Sequence, residues 1–271
     1  LRASHELSAH KGQLAVDVHS LIAVNVDQFY GMEIEEFPAQ IAQVALWLVD
    51  HQMNLRVSVE FGMYFARIPL KSTPHIQNAN ALRVDWNEVL PAERCSYVLG
   101  NPPFLGKTYQ SKEQKADLAA VMQGIHGAGD LDFVCGWYIL AARYLQDRNT
   151  RAAFVSTNSI TQGEQVAVLW GEMQRLGMHI QFAHRTFQWS NEASGKAAVH
   201  CVIVGFGPKE IANKTIYEYA DIKGLPHAVP AKRINAYLVD APDVLLSKRR
   251  VPICKVPEMT YGSKPVSYTH L

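Results

Sequence analysis

Apolar residues in this chain come in two kinds of run. Short apolar-rich stretches that break off into polar or small residues read as buried strands: QFYGMEI over Gln28–Ile34, HIQNAN ending near Asn80, CSYVLG ending at Gly100, RAAFVSTNSI with a polar end at Ser156–Ser159, then HIQFAHRTF and AAVHCVIVGF. Val24–Asp27 reads as the loop leading into the first of them. Longer stretches between them carry apolar residues three and four apart, the spacing of one helix face. EEFPAQ opens such a stretch, with acids in its first turn and Pro38 where a missing N–H costs nothing. Ile41, Val44, Ala45, Leu48 and Val49 then share one face, which is expected to pack on a sheet. DFVCGWYILAARYL and EQVAVLWGEMQRLG are helices of the same kind, the second stopping at Gly177, a residue suited to the left-handed turn past a helix end.

Strand–helix alternation, closed by two strands across the polar stretch QWSNEASGK, predicts an α/β fold. Its sheet is doubly wound and mostly parallel, and it ends in a β-hairpin. Past about Gly207 the alternation fades. INAYLVDAPDVLLSKRRVPICKVPEM is rich in proline and charge and reads as a linker or the edge of another domain. No internal repeat or low-complexity tract interrupts the pattern.

Composition narrows the function classes without choosing among them. With 271 residues, 48% hydrophobic and 19% charged, the chain is neither disordered nor collagen-like. Its longest apolar runs, such as Val44–Val49, are too short to cross a bilayer. A formal net charge of +1 leaves a nucleic-acid partner open, because a basic patch can sit on a neutral protein. Cys95, Cys135, Cys201 and Cys254 are far apart with no CxxC spacing, which argues against a zinc knuckle or a disulfide scaffold and suits a reducing cytoplasm. The 11 histidines include no HxxxH pair, and His179 and His184, five apart on a predicted strand, point to opposite sides, so no metal site is expected. The opening LRASHELSAHKGQL is mixed and polar, unlike a secretory signal, and lacks an initiator methionine. The chain is expected to be a piece of a longer protein.

Ligands of open α/β sheets bind beyond the carboxyl ends of the strands. Four predicted strand ends carry suggestive side chains: Glu33, Asn80, Asn101–Phe104 and Ser156–Asn158. Residues before proline are pushed out of the helical region, and each proline fixes its own φ. Asn101-Pro102-Pro103 is therefore stiff and extended, and aims the Asn101 amide oxygen and the Pro102 carbonyl toward one point. Two converging acceptors can hold an exocyclic amino group, and Phe104 can stack on the ring that bears it. The plain alternative is a rigid turn; the place at a strand end favours a site. Small polar residues at Ser156–Asn158 read by default as a strand cap.

NPPF after an apolar strand resembles the catalytic motif of amino-group methyltransferases. The wider chain resembles the adenine-N6 DNA methyltransferase region of the large fused restriction–modification enzymes (type IIG, of the type IIL kind). The matching stretches, in order, are DQFYGMEIEEFPAQIAQVALWLVDHQMN, CSYVLGNPPFLG, VSTNSITQGEQVAVLW and FAHRTFQWSNEASGKAAVHCVIVGF. They run from Asp27 to Phe206, with weaker similarity to about Pro265. The resemblance implies a Rossmann-like fold that binds S-adenosylmethionine and acts on double-stranded DNA. Glu33 would bind the cofactor's ribose hydroxyls, Ile34 would flank its adenine, and Asn80, followed by Ala81, would hydrogen-bond that adenine. For Glu33 the alternative is a helix-start charge, which Glu35 and Glu36 fit better; for Asn80 it is a turn-closing Asn.

By the same resemblance, Asn101, Pro102, Pro103 and Phe104 are the catalytic motif, acting on an adenine flipped out of the duplex. Phe187 and Trp189 are the candidates for a second aromatic wall, each equally readable as core. Lys107, Lys112, Lys115, Arg185 and Lys196 would lie near a DNA-facing rim, or simply on a solvated surface.

The chain departs from the family pattern at both ends. No glycine-rich turn precedes Glu33, since Gly12 and Gly31 stand alone, so the sheet is expected to lack its first strand and cofactor loop. The ending VSYTHL resembles a translated sequencing adapter. The expected organisation is a truncated catalytic domain over 1–207, a linker or start of a target-recognition region over 208–265, and a non-native tail over 266–271. The fragment alone is expected to be inactive, with recognition, and a nuclease if one is fused, on the longer parent. Two other functions fit the same motif: methylation of a protein glutamine or of RNA, and a non-catalytic DNA-binding remnant.

Overall fold

The computed structural model describes residues 23–61, 72–189, 199–247 and 254–256. Their eight strands form two sheets. β1 (Tyr30–Glu33) and β2 (His75–Asn78) pair in parallel, Tyr30 opposite His75 and Glu33 opposite Asn78. The Tyr30 and His75 rings stack with centroids 4.4 Å apart. β1 starts later than its apolar pattern because a 3-10 turn takes Val26–Gln28, the Asn25 N–H donating to Gln28 Oε1 at 2.8 Å. Between the two strands runs α1 (Glu36–Phe61).

The larger sheet has the order β3-β4-β6-β5-β7-β8. It comprises β3 (Tyr97–Gly100), β4 (Arg151–Thr157), β5 (His179–Trp189), β6 (Val199–Gly207), β7 (Lys214–Glu218) and β8 (His227–Ala231). β3 lies parallel to β4, and β5 parallel to β7; β6 and β8 run against their neighbours. β3, β4, β5 and β7 therefore share one direction, the mostly parallel α/β sheet expected, and β5 and β6 pair antiparallel, as the two closing strands were expected to. Among the described residues no strand lies between the β1–β2 pair and β3.

Among the described residues four further helices join these strands: α2 (Trp86–Val89), α3 (Lys112–Val121), α4 (Cys135–Leu145) and α5 (Glu164–Arg175). α3 begins at a reciprocal cap that its sequence, SKEQ, encodes: Ser111 Oγ accepts from the Gln114 N–H, and Gln114 Oε1 accepts from the Ser111 N–H. α5 ends as predicted, with Gly177 at φ 74°. The core is aromatic at its centre. Tyr138 of α4 stacks on Phe206 of β6 at 5.3 Å and meets Phe154 of β4 and Trp170 of α5 edge to face. On the opposite face of β6 Gly205 is required, since a Cβ on it would stand 2.0 Å from the ring of Phe182, its partner on β5.

Two expectations are overturned. The stripe Ile41, Val44, Leu48 and Val49 does not pack on a sheet: Val44 is 50% and Leu48 56% exposed. α1 instead turns inward through Ala39, Trp47 and Asn54, and the Trp47 indole N–H reaches the Ser72 carbonyl at 3.1 Å. Two strands about 5 Å apart are too narrow a support for the whole apolar stripe. The second concerns the chain past Gly207, expected to be a linker or the start of a target-recognition region. β7 and β8 continue the sheet there, and Ile234, Ala236 and Leu238 are buried in the same core. β7 hides from a periodicity reading because it is short and begins with a lysine, whose ammonium pairs with Glu210 at 2.8 Å.

Candidate active site

β3 carries the chain straight to Asn101. Its last residue, Gly100, lies opposite Phe154, and a Cβ there would sit 3.1 Å from the Phe154 ring. Glycine thus lets the strand end run close over the core. Pro102 is buried, Asn101 and Pro103 are exposed, and Phe104 is half-buried against the core. Among the described residues the Asn101 side chain makes no hydrogen bond.

The sheet brings other predicted residues to the same edge. β4 ends at Thr157, which lies opposite Cys201, and Cys201 lies opposite Phe187 on β5. Because β3, β4 and β5 share a direction, Asn101, Asn158 and Phe187 all sit toward the carboxyl ends of these strands, with β6 between β4 and β5. Phe187 is half-buried, one face stacked on Tyr219 with centroids 5.3 Å apart. Beside it His184 stacks on Tyr217 at 4.2 Å and shares a 2.8 Å hydrogen bond between its Nδ1 and the Tyr219 hydroxyl. Burial lowers the His184 pKa below its ordinary 6.5. Trp189 closes β5 in register with Val199, and its side chain lies outside the described residues. Ser156 points inward, hydrogen-bonded to the Tyr138 hydroxyl at 2.7 Å, while the Thr157 side chain caps the following turn by accepting from the Ser159 N–H.

At the end of the smaller sheet, Glu33 is half-buried and its Oε1 accepts from the Glu35 N–H at 3.2 Å. Asn78 ties the two strand ends together, its Nδ2 donating to the carbonyls of Glu33 and Ile34 at 3.1 and 2.8 Å. Ile34 is exposed. Asn80 is pinned on both sides: Nδ2 donates to Asp117 Oδ2 at 2.9 Å and Oδ1 accepts from the Leu82 N–H at 2.9 Å. That leaves Oδ1 one further lone pair. Asp117, on α3, also takes the Arg83 Nε–H at 2.7 Å. Ala81 is half-buried, and its carbonyl accepts from the Trp86 indole at 2.9 Å.

Residues 3–218 match the family described as MmeI, DNA-methyltransferase domain, a span that takes in every one of these strand ends. The chain belongs to that family. It is 62% identical to the type IIL restriction–modification enzyme MmeI solved in complex with DNA, with a TM-score of 0.88 over 94% of this chain and 34% of that one. It is also 40% identical over 247 residues to DNA methyltransferase A of Bacillus subtilis (strain 168), covering 90% of this chain and 27% of that protein. The chain therefore spans about a third or less of the length of these relatives.

Within this family member the basic residues divide. Lys107 is paired with Asp130, and Arg185 with Glu218 at 3.1 Å. Lys112 and Lys115 are exposed on α3, and Lys196 lies outside the described residues. The described residues contain no cluster of His, Cys, Asp or Glu able to hold a metal ion. The sequence reading passed over Asn78, Gln110, Asp117 and Asp132. Each works through contacts with residues far along the chain, and only the cap-like spacing of Ser111 and Gln114 hinted that a helix carrying Asp117 stood nearby.

Proposed function

We propose that this chain is the catalytic part of a site-specific DNA methyltransferase of a restriction–modification system, modifying the N6 amino group of an adenine flipped out of the duplex. The observation that carries the reading is the stiff Asn101–Phe104 element at the carboxyl end of β3, with Asn101 exposed and at the same end of the sheet as Phe187. The Asn101 amide oxygen and the Pro102 carbonyl accept the two N–H bonds of the amino group and so enrich its nitrogen in electron density. Phe104 stacks on the base. An aromatic of the β5 end, Phe187 or Trp189, closes the other side. Positioning and preorganised acceptors supply the rate, with no nucleophilic side chain.

The cofactor of this reading is S-adenosylmethionine, which provides a methyl group on a positively charged sulfur. The residues at the end of β1 and beyond β2 fit it. Glu33 offers a half-buried carboxylate to a ribose diol, Ile34 an exposed apolar surface to a ring, and Asn80 an acceptor held in a fixed orientation by Asp117 and Leu82. Double-stranded DNA is the proposed partner. The longer protein that includes this chain would supply target recognition, and a nuclease where one is fused. The proposed location is the cytoplasm, where the DNA of this reading lies.

The test is to express the complete gene in a host without adenine methylation and map N6-methyladenine across its DNA. A sequence-specific pattern is expected, and Asn101→Ala should erase it. Methylation that persists in that variant sinks the site assignment. Methyl groups found on RNA or protein, with DNA unmodified, would sink the choice of substrate.

A further inference from the structure

The segment that follows Phe104 is fastened by two side chains with no place in the chemistry. The Leu105 N–H donates to Asp132 Oδ1 at 3.1 Å. The Leu105 carbonyl accepts from Gln110 Nε2 at 3.0 Å and from the Phe133 N–H at 2.9 Å. Both backbone polar groups of the residue next to Phe104 are thus tied down. Gln110 Nε2 also donates to the Leu131 carbonyl at 3.1 Å, so one amide bridges both sides of the junction. Asp132 Oδ1 accepts from the Val134 N–H at 3.2 Å as well, and its own N–H donates to Gln165 Oε1 of α5 at 2.9 Å.

Both residues are buried, Asp132 at 4% exposure and Gln110 at 7%. Among the described residues Asp132 has no ion-pair partner. Burying a carboxylate without a cation costs stability, and an ordinary turn has no need of one here. The cost is offset by a fixed junction between the end of the NPPF segment and the start of α4.

We infer that Asp132 and Gln110 are positioning residues. By clamping Leu105 they set the Phe104 ring and the Asn101–Pro102 acceptors against the target base, while touching neither base nor cofactor. The inference rests on the reading of NPPF as the base grip.

The complete gene product is the material for the test, with 2-aminopurine placed at the adenine that mapping shows to be modified. Its fluorescence reports extrusion of the base from the stack. Asp132→Ala is expected to lose that signal and roughly a hundredfold in kcat, the scale of an ångström-sized misplacement. Its affinity for S-adenosylhomocysteine, by calorimetry, should stay within twofold of the parent. Asp132→Asn keeps an acceptor oxygen and should restore both signal and rate to within a few-fold. Gln110→Ala should fall between the two, and carries the same split if Asp132→Ala does not yield folded protein. Parental fluorescence and kcat in Asp132→Ala or, failing that, in Gln110→Ala would overturn the inference. So would loss of homocysteine-analogue binding in step with kcat and without rescue by Asn, the mark of a merely structural role. Asn101→Ala separates the two levels: if it still methylates, the base grip itself fails, whatever the clamp variants do.

Discussion

The β1–α1–β2 unit and the six-stranded sheet are built from similar sequence and packed to opposite effect. In the larger sheet, apolar residues of β4, β6, α4 and α5 close on one another until Tyr138, Phe154 and Phe206 have almost no exposed surface. In the smaller unit, the most regular apolar stripe of the chain lies open on α1, and the helix turns a mixed face inward through Ala39, Trp47 and Asn54. The difference is one of support. Six strands provide a surface wide enough to bury whole helix faces, and two do not. A helical apolar period shows which face would gain by burial; it cannot show that something is there to bury it. On β3 the same shortage appears from the other side, where Tyr97 and Leu99 stand exposed on one face of the strand while Val98 packs against the core.

Substitutions can break or sharpen this contrast. The largest effect belongs to the centre of the six-stranded sheet. Phe206→Ala removes a ring that stacks on Tyr138 and is expected to cost about 3–5 kcal/mol in urea denaturation. A loss near zero would move the core away from the β4–β6 pair. Next comes the link between the two regions. Asp117 joins Asn80, beyond β2, to α3, and Asp117→Ala leaves the part-buried Asn80 amide without its acceptor, for about 1–3 kcal/mol. If the regions were independent, that substitution would leave the unfolding midpoint unchanged. The smallest effect is set for the open stripe: Leu48→Ser should alter stability by no more than about 0.5 kcal/mol. A cost several times larger would mean that the α1 face is covered in solution, and the contrast between the regions would collapse.

How much of this was legible beforehand differs by element. The NPPF segment could be read because its stiffness is local: proline acts on its own residue and the one before it. Glu33 and Asn80 were likewise visible as polar residues where apolar runs stop. Which partner each would meet was not. Asn80 gives its amide to Asp117, 37 residues away, and nothing in the intervening sequence announces it. Phe187 and Trp189 stood as equals in the sequence, and nothing in it announced that Phe187 would stack on Tyr219, 32 residues on. β7 and β8 escaped notice because they lie at the margin of the sheet, where strands are short and half-exposed and their pattern is correspondingly weak.

The sequence by itself determined the strand–helix alternation, the direction in which NPPF leaves its strand, and the family, since periodicity, φ restriction and ordered motifs are properties of neighbouring residues. The tertiary structure alone decided that β3, β4 and β5 end at one edge, that the α1 stripe stays open, and that Asp132 and Gln110 hold the residue after Phe104. These depend on strand order, on the width of the supporting surface and on hydrogen bonds between distant residues, and a linear pattern carries none of the three.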